Sequence, residues 1–484
     1  MQSATYFHCG GKSNAAYKDL RSFLTLLAEN NQLLRISEPV LPEPDIGAAA
    51  SAANKGLGET APALIFDNIK GYGKAQLAIN VHGSWPNMAL MMGLPKDTPP
   101  KAQFHEFCRR YQNFSKGVIE ERKTAPWQEV QITENINLFG LMPHFRLNPG
   151  DGGLYINKAS VVSRHPDHPD DRNVGMYRLQ VKGPTRLSAQ FVPEHDIALH
   201  FQAAERENKP LPIVIAVGND PVLSIVASMP LLYGQYEFQM ASALHEEPYP
   251  VVTLENGLQA PWGAEYILEG HVIPGVREPD GPYGEFTGHL SGLRNMVSVE
   301  ITKVWHRKDP IYEYTSIGMP WTEIDYMFLN TCPPLYVQLK EKFPEIQAVN
   351  ALYTHGLVVI VSTKTRVGGF GKAVGMSVLT TPHGLGYAKV VIVVDDFVDP
   401  FNLPQVMWAI STKVNPKYDT VVIPDLSVLP LDPGSEPPGI THKMIIDATT
   451  PAPPEKHGEY SMQVMDPLEA KDWLPKLQAL MKHA

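Results

Sequence analysis

A chain of 484 residues is too long for one compact core and predicts two or three domains of ordinary size. Its 43% apolar and 19% charged residues are typical of a soluble globular protein and exclude a disordered chain. The net charge of −10 and the lack of a long Lys/Arg run argue against a nucleic-acid binder, so small-molecule chemistry is favoured.

The three cysteines, Cys9, Cys108 and Cys332, lie far apart in the sequence and form no CxxC pair. We therefore expect neither a disulfide framework nor a zinc-thiolate site, which fits a reducing cytoplasm. Residues 1–12 lack the order of a signal peptide, and the longest aliphatic runs have the length of a strand. We predict a cytoplasmic protein without a membrane segment.

The first domain follows a polar extension, residues 1–18. Apolar residues recur at helical spacing behind Asp19, which predicts a helix capped by that carboxylate; they are Leu20, Phe23, Leu24 and Leu27. Strand-like runs at 63–66 and 76–80 alternate with helical ones such as 102–111. We predict an N-terminal α/β domain over residues 19–120.

Short β runs with glycine and proline between them dominate residues 121–320, and they predict a barrel or a curled sheet. The runs are 159–163, 176–181, 212–217, 297–304 and 311–314, and helical stretches interrupt them at 196–207 and 237–244. Every motif that indicates chemistry lies in this middle domain.

The pattern becomes helical from Thr322 onwards, and we assign residues 321–350 to a helical linker. Buried strands alternating with a helix then predict a C-terminal α/β domain over residues 351–484, from runs at 356–361, 388–394, 404–414 and 420–423. Its proline-rich tail, residues 429–456, is expected to wrap a neighbouring subunit or the chain's own surface.

The most informative stretch runs from Arg277 to His289. Gly281-Pro-Tyr-Gly284 has the residues of a β-turn, which would bring Asp280 and Glu285 face to face. Paired carboxylates repel, so one keeps its proton near neutral pH and can act as a general acid. The alternative is an acidic surface hairpin, against which the like-charge cost of a facing pair argues.

A second stretch, Asn173-Val-Gly-Met-Tyr-Arg178, places an amide and a guanidinium around a glycine where the backbone can approach a ligand. An arginine fork suits a carboxylate or a phosphate. Strand residues five apart face opposite sides of a sheet. Asn173 and Arg178 can therefore serve one site only if the strand bulges or Asn173 precedes it. A structural arginine is the alternative, and a surface or helix-capping role is the default for His195 and Glu237.

Taken together, these residues resemble the UbiD family of reversible decarboxylases that use prenylated FMN, and within it the large catalytic subunits of bacterial non-oxidative hydroxyarylic acid decarboxylases. The resemblance runs from about Asp19 to the C-terminus. Five motifs carry it: Gly281-Pro-Tyr-Gly-Glu-Phe-Thr-Gly288, Met319-Pro-Trp-Thr-Glu323, Thr354-His-Gly-Leu357, Thr381-Pro-His-Gly-Leu-Gly-Tyr387 and Asp399-Pro-Phe-Asn-Leu-Pro-Gln-Val-Met-Trp408.

The resemblance implies three domains: an N-terminal α/β domain, a central split β-barrel similar to that of flavin reductases, and a C-terminal α/β oligomerisation domain. It implies the reversible conversion of a hydroxyarenecarboxylate, of the vanillate, 4-hydroxybenzoate or 3,4-dihydroxybenzoate class, to a phenol and CO2. It also implies a flavin prenyltransferase that supplies the cofactor and a homo-oligomer, a dimer or hexamer. Small accessory subunits and a potassium ion are compatible with it.

For the site, the resemblance implies that Glu285 is the proton donor, that Arg178 lies beside the substrate carboxylate and that Asp280 is the partner of that arginine. It implies that a divalent metal, usually manganese, anchors the cofactor phosphate through Asn173, His195 and Glu237. Further cofactor contacts are expected from Val174, Gly175, Met176, Tyr177, Arg178, Glu194 and Lys389, the last at the phosphate.

Two positions depart from the family pattern. The family usually has glutamate where this chain has Asp280, which is shorter by one methylene, so a looser or water-bridged contact with Arg178 is expected. Tyr236-Glu-Phe-Gln-Met-Ala-Ser242 replaces the commoner Ser-Glu-Tyr-x-x-Ala-Gly, which affects packing around the retained glutamate. Two alternatives stay open: a non-catalytic structural subunit of a decarboxylase complex, and a flavin reductase on a related barrel.

Overall fold

The computed structural model describes residues 17–192, 195–456, 464, 467 and 469–481. Helices and sheets are mixed along this part of the chain, as the α/β (α+β) prediction requires. Within these ranges no helix has the length and apolar character needed to cross a bilayer.

The N-terminal part holds four helices and five short strands. Its helices are α1 (Leu20–Glu29), α2 (Gly47–Leu57), α3 (Trp85–Met91) and α4 (Pro100–Tyr111), and its strands are β1 (Leu33–Ile36), β2 (Ala63–Phe66), β3 (Gln76–Ile79), β4 (Ile119–Glu121) and β5 (Val130–Ile132). The predicted cap of α1 is present, because Asp19 accepts a hydrogen bond from the backbone N–H of Ser22.

The central part is rich in strands. Its helices are α5 (Leu138–Leu141), α6 (Asp196–Arg206), α7 (Pro221–Val226) and α8 (Glu237–His245), and its strands are β6 (Tyr155–Ile156), β7 (Ala159–Arg164), β8 (Arg172–Met176), β9 (Leu179–Val181), β10 (Arg186–Ala189), β11 (Leu211–Val217), β12 (Tyr249–Thr253), β13 (Gln259–Pro261), β14 (Tyr266–Asp280), β15 (Arg294–His306) and β16 (Ile311–Tyr314). The helices predicted at 196–207 and 237–244 are α6 and α8. The run predicted as one strand at 176–181 is two, and Tyr177 and Arg178 lie between β8 and β9.

The C-terminal part alternates between the two element types. Its helices are α9 (Glu323–Met327), α10 (Cys332–Lys342), α11 (Phe370–Leu379), α12 (Pro382–Gly386), α13 (Leu403–Lys413) and α14 (Ala470–Met481), and its strands are β17 (Ile346–Asn350), β18 (Val358–Thr363), β19 (Val390–Asp395), β20 (Thr420–Ser427) and β21 (Ile440–Ala448). Strand β17 falls within the predicted helical linker, because its apolar residues pair antiparallel with β18.

Four sheets assemble from these strands in the described residues. The largest runs β6-β9-β10-β15-β14-β11-β7-β8, with β5 added on β15, and within the described ranges its end strands do not pair with each other. The others are β1-β2-β3-β16, β13-β12-β4 and β17-β18-β19-β21-β20. Although β16 follows the central strands in sequence, it pairs with β3, so the chain crosses between its N-terminal and central parts twice.

A buried cluster of charges, which we call the Lys158 cluster (His82, Lys158, Glu313 and Glu323), joins the sheets at this crossing. The Lys158 ammonium lies 2.8 Å from Glu313 and 2.6 Å from Glu323, and no side chain of the three reaches solvent. Lys158 also contacts Nδ1 of His82 at 2.9 Å. Because Glu313 belongs to β16, Lys158 directly precedes β7 and Glu323 begins α9, one cation ties three elements together.

We expect Lys158→Met to lower the free energy of unfolding by about 3–5 kcal/mol, since it leaves two buried carboxylates without their cation. Thermal or chemical denaturation measures this change. The matched control is Lys209→Met, which removes an exposed lysine paired with Glu207 at the surface and should have no measurable effect. Equal stability of the two variants would contradict a structural role for the cluster.

Candidate active site

Two carboxylates and one guanidinium meet in the buried interior of the central domain. The Nη2 group of Arg178 donates to Oδ1 of Asp280 at 2.7 Å, and its Nη1 group donates to Oε1 of Glu285. The contact with Asp280 is direct, so the expectation of a looser or water-bridged contact is wrong. The structure thus brings together the three side chains that the sequence singled out as catalytic, and the surface-hairpin alternative does not describe them.

Each member of this trio is fixed by its own neighbours. Asp280 ends β14 and also accepts a hydrogen bond from Ser188 of β10 at 2.7 Å. Arg178 donates a further hydrogen bond to Ser291 at 3.2 Å, and its guanidinium lies 5.1 Å from the ring centre of Tyr283. These contacts leave the charged groups little rotational freedom.

The chain reverses later than the sequence predicted. The turn is formed by Glu285 to Gly288, where the N–H of Gly288 donates to the carbonyl of Glu285 at 3.0 Å. Gly288 has φ of 75°, a conformation that favours glycine. The predicted turn at Gly281-Pro-Tyr-Gly284 is therefore wrong, and Asp280 and Glu285 meet through Arg178 instead of across a hairpin.

Burial sets the ionisation of Glu285 and raises its pKa to about 7. Arg178 opposes this shift and Asp280 adds to it, so repulsion between the carboxylates is a smaller cause than we expected from the sequence. Burial also acts to lower the pKa of Arg178, but Glu285 and Asp280 outweigh it and the pKa is raised. The site accordingly holds a permanent cation beside an acid that titrates near neutral pH.

Two members of the trio, Arg178 and Glu285, line a cavity between the central and C-terminal domains. Its wall includes side chains from both domains, among them Met176, Tyr177, Arg178, Glu285, Phe286, Phe328, Leu429 and Leu431. Leu429 and Leu431 belong to the proline-rich tail, which we expected to wrap either a neighbouring subunit or the chain's own surface. This part of the tail covers the chain's own surface. Apolar walls with a few charged groups are typical of small-molecule sites.

Asn173 and His195 lie beside the Tyr177 side chain, and Glu237 contacts the nearby backbone. The Tyr177 hydroxyl lies 3.4 Å from Asn173 Nδ2, and its ring centre lies 5.4 Å from that of His195. Glu237 accepts a hydrogen bond from the backbone N–H of Val174 at 2.7 Å. From the sequence, Asn173 and Arg178 could serve one site only if the strand bulged or Asn173 preceded it. Neither is needed, because β8 ends before Arg178 and the alternation of strand faces does not extend to that residue.

The donors of this second group suit a hard divalent cation. An amide oxygen, an imidazole and a carboxylate are ligands that Mn²⁺ accepts. Nδ1 of His195 is buried without a hydrogen-bond partner in the described part of the chain. Burial raises the pKa of Glu237 to about 8 and lowers that of His195 to about 4. The described residues contain no group of three His, Cys, Asp or Glu that could hold a metal, and in the predicted set Asn173 stands as the third donor beside His195 and Glu237.

The other predicted cofactor contacts differ in their placement. Met176 and Tyr177 line the cavity, whereas Gly175 lies beneath the Tyr177 side chain, since a methyl group on it would collide with the Tyr177 hydroxyl. Lys389 pairs with Asp432 at 2.9 Å, and its side chain is not part of the cavity wall. Glu194 lies outside the described residues.

Two residues of the C-terminal domain, His355 and Tyr387, also line the cavity although sequence reasoning assigned them no role. Both lie in motifs that carried the family resemblance, but strand and helix periodicity do not indicate which loop residues face a cavity. Burial, followed by the neighbouring His383 and His195, holds the pKa of His355 well below its ordinary value. His355 is therefore a neutral imidazole in the cavity wall.

Three family models match the chain in order. They describe the N-terminal domain of 3-octaprenyl-4-hydroxybenzoate carboxy-lyase (UbiD) over residues 24–107, its Rift-related domain over 118–320 and its C-terminal domain over 327–448. Phenolic acid decarboxylase of Bacillus subtilis (strain 168) is 59% identical over 472 residues, covering 96% of this chain and 99% of that protein.

Solved structures resemble the whole fold. Vanillic acid decarboxylase of Sedimentibacter hydroxybenzoicus in closed form matches with a TM-score of 0.89 and 50% identity, covering 96% of this chain and 99% of that one. An evolved dimeric form of the UbiD-class enzyme HmfF from Pelotomaculum thermopropionicum, in complex with prenylated FMN, matches with a TM-score of 0.80 and 26% identity, covering 94% and 98%.

The acid at position 285 gives a prediction that needs no substrate. In infrared difference spectra between the protein and its Glu285→Gln variant, a protonated carboxyl band should disappear as the pH rises through about 7. Asp280→Asn removes a negative charge that raises the pKa of Glu285, so the midpoint should move to lower pH. Asp67→Asn, at a surface ion pair with Arg35, is the control and should leave the midpoint in place. The same midpoint in all three backgrounds would contradict the coupling.

Proposed function

Because this chain belongs to the UbiD family of carboxy-lyases, we propose that it is a reversible, non-oxidative decarboxylase of hydroxyarenecarboxylates. Its substrates are of the vanillate, 4-hydroxybenzoate or 3,4-dihydroxybenzoate class, and its products are a phenol and CO2. The observation that carries the proposal is Arg178, held between Asp280 and Glu285 in the wall of a cavity. The relatives called phenolic acid decarboxylase and vanillic acid decarboxylase support the substrate class.

Arg178 binds the carboxylate of the substrate. Its Nε group is buried and makes no hydrogen bond within the described residues, so one charge-assisted donor is still available. Losing CO2 leaves an electron pair on the ring carbon that no side chain can accept, and bound prenylated FMN supplies the electron sink. The apolar walls formed by Phe286, Phe328 and Leu429 exclude water while this happens.

Glu285 then donates its proton to the ring carbon that has lost CO2. A pKa of about 7 leaves this group protonated in a large fraction of molecules at neutral pH. Glu285 takes a new proton from solvent before the next turnover, so one proton is consumed for each CO2 released. In the carboxylation direction Glu285 accepts the proton. Asp280 accepts a hydrogen bond from Arg178 and keeps the guanidinium in place.

Asn173, His195 and Glu237 would hold a divalent metal, Mn²⁺ by preference, next to the cofactor phosphate. The unpartnered His195 nitrogen and the buried Glu237 carboxylate support this assignment. Burial disfavours the ionised carboxylate unless a cation neutralises it. Lys389 is proposed to contact the cofactor phosphate, which requires its ammonium group to break the ion pair with Asp432. A potassium ion is proposed as a further ligand of the cofactor.

The proposal includes partners and a location. A flavin prenyltransferase supplies the cofactor, and the chain assembles as a homo-oligomer, a dimer or hexamer, with small accessory subunits. The dimeric form described for a UbiD-class relative supports assembly. The free thiols of Cys108 and Cys332 support a cytoplasmic location.

Glu285→Gln should retain flavin and metal but lose decarboxylation by about 10²-fold or more, because it removes the proton donor. Release of CO2 from 4-hydroxybenzoate, measured after co-production with a flavin prenyltransferase, is the readout. Glu278→Gln is the matched control, since Glu278 pairs with Arg186 at the edge of the same strand, and it should keep turnover. Full activity of Glu285→Gln would refute the assigned role.

The same preparation separates the alternatives. A colourless wild-type protein that releases no CO2 would favour the non-catalytic structural subunit. Oxidation of NAD(P)H without CO2 release would favour a flavin reductase.

Glu237→Gln should weaken Mn²⁺ binding by more than the roughly 10- to 100-fold loss that follows removal of an outer-shell partner, because it replaces a charged ligand by a neutral one. Metal content by elemental analysis and Mn²⁺ titration followed by electron paramagnetic resonance measure it. His144→Gln changes a buried imidazole that contacts Leu138 and Tyr312, and should keep the metal. Unchanged Mn²⁺ affinity in Glu237→Gln would show that the metal, if bound, lies elsewhere.

A further inference from the structure

The C-terminal domain places one imidazole, that of His355, in the wall of the cavity. Its ring centre lies 4.3 Å from that of Phe328, 4.6 Å from that of Tyr387 and 5.7 Å from that of Phe286. Within the described part of the chain its two ring nitrogens make no hydrogen bond. A polar group enclosed by aromatic rings and left without a partner is available to a ligand.

The local backbone supports this placement. Thr354 and His355 have φ of 50° and 55°, and Gly356 has φ of 78°, so three consecutive residues adopt the left-handed conformation. A methyl group on Gly356 would lie 2.5 Å from Nε2 of His383, which shows how closely His383 packs beneath this loop. His383 in turn stacks on Tyr387 with ring centres 4.6 Å apart. Packing from below thus holds His355 in the wall of the cavity.

Most other polar side chains of the wall already have partners. Asn157 donates to the Tyr283 hydroxyl at 3.0 Å and to the carbonyl of Thr315 at 2.8 Å. Ser228 donates to backbone carbonyls of α7. Gln190, on the central-domain side, and Tyr387 are the polar side chains of the wall to be compared with His355.

We propose that His355 forms a hydrogen bond with the ring hydroxyl of the substrate and thereby makes the enzyme prefer hydroxylated over unsubstituted benzoates. The inference rests on the function proposed above and adds a specificity-determining residue to it. A neutral imidazole offers one nitrogen that accepts from a phenol and one that donates to it. Phe286 and Phe328, which contact the His355 ring, supply apolar faces for the benzene ring. Arg178 thus recognises the carboxylate and His355 the hydroxyl.

The test compares the affinity of the flavin-loaded protein for benzoate and for 2-, 3- and 4-hydroxybenzoate, by calorimetry. The wild type should bind at least one hydroxybenzoate about fivefold more tightly than benzoate, the usual net gain from one neutral hydrogen bond. His355→Phe keeps an aromatic ring in the cage and should bring this ratio to about one. His355→Asn tolerates the left-handed backbone and is too short to reach, so it should have the same effect if the phenylalanine variant does not fold. Flavin absorbance of each variant is measured alongside.

The inference would be overturned by no preference in the wild type, by an unchanged preference in both His355 variants, or by loss of flavin from them, which would assign His355 to the cofactor. Tyr387→Phe and Gln190→Met are the comparison variants. Loss of the preference in either of these, with the preference kept in His355→Phe, would also overturn it. Release of CO2 by the wild type is scored separately, so failure of the proposed function is distinguishable from failure of this assignment.

Discussion

The site depends on one electrostatic constraint: a single buried guanidinium serves two carboxylates. If both acids were ionised, the trio would carry a net negative charge in a region from which water is largely excluded, and burial of unbalanced charge is costly. Asp280 accepts hydrogen bonds from both Arg178 and Ser188, which hold its carboxyl group in place. The cost is visible at Glu285, whose pKa burial raises to about 7. A proton available near neutral pH follows from this balance of charge.

The fold provides the constraint by bringing three distant segments together. Arg178 lies in the break between β8 and β9, Asp280 ends the long strand β14, and Glu285 begins the turn that follows. The C-terminal domain closes the cavity with Leu429, and its tail touches the central sheet where Arg294 reaches the carbonyl of Pro430 at 3.5 Å. The proposed proton donor thus belongs to the central domain, while the shape of the cavity depends on both domains.

The sequence predicted the parts of this arrangement that depend on local pattern. The cap at Asp19 and the helices α6 and α8 follow from spacing and capping, and the family resemblance identified the members of the trio. The position of the turn was missed because Gly281-Pro-Tyr-Gly284 and Glu285-Phe-Thr-Gly288 both end in glycine, and only tertiary contacts decide which reverses the chain. The pairing of β16 with β3 was missed because register between segments more than 200 residues apart leaves no periodic signal.

The Lys158 cluster shows what separates a catalytic acid from a structural one. Like the trio, it places one cation, Lys158, between two acids, Glu313 and Glu323, and burial likewise raises the pKa of Glu313 to about 7. Glu313 and Glu285 differ in access. Glu285 lies in the wall of the cavity, whereas no side chain of the Lys158 cluster reaches either the cavity or solvent. An acid with a raised pKa can therefore act as a proton donor only where a reacting carbon can approach it, and access to the cavity, more than acidity, suits Glu285 to the role proposed for it.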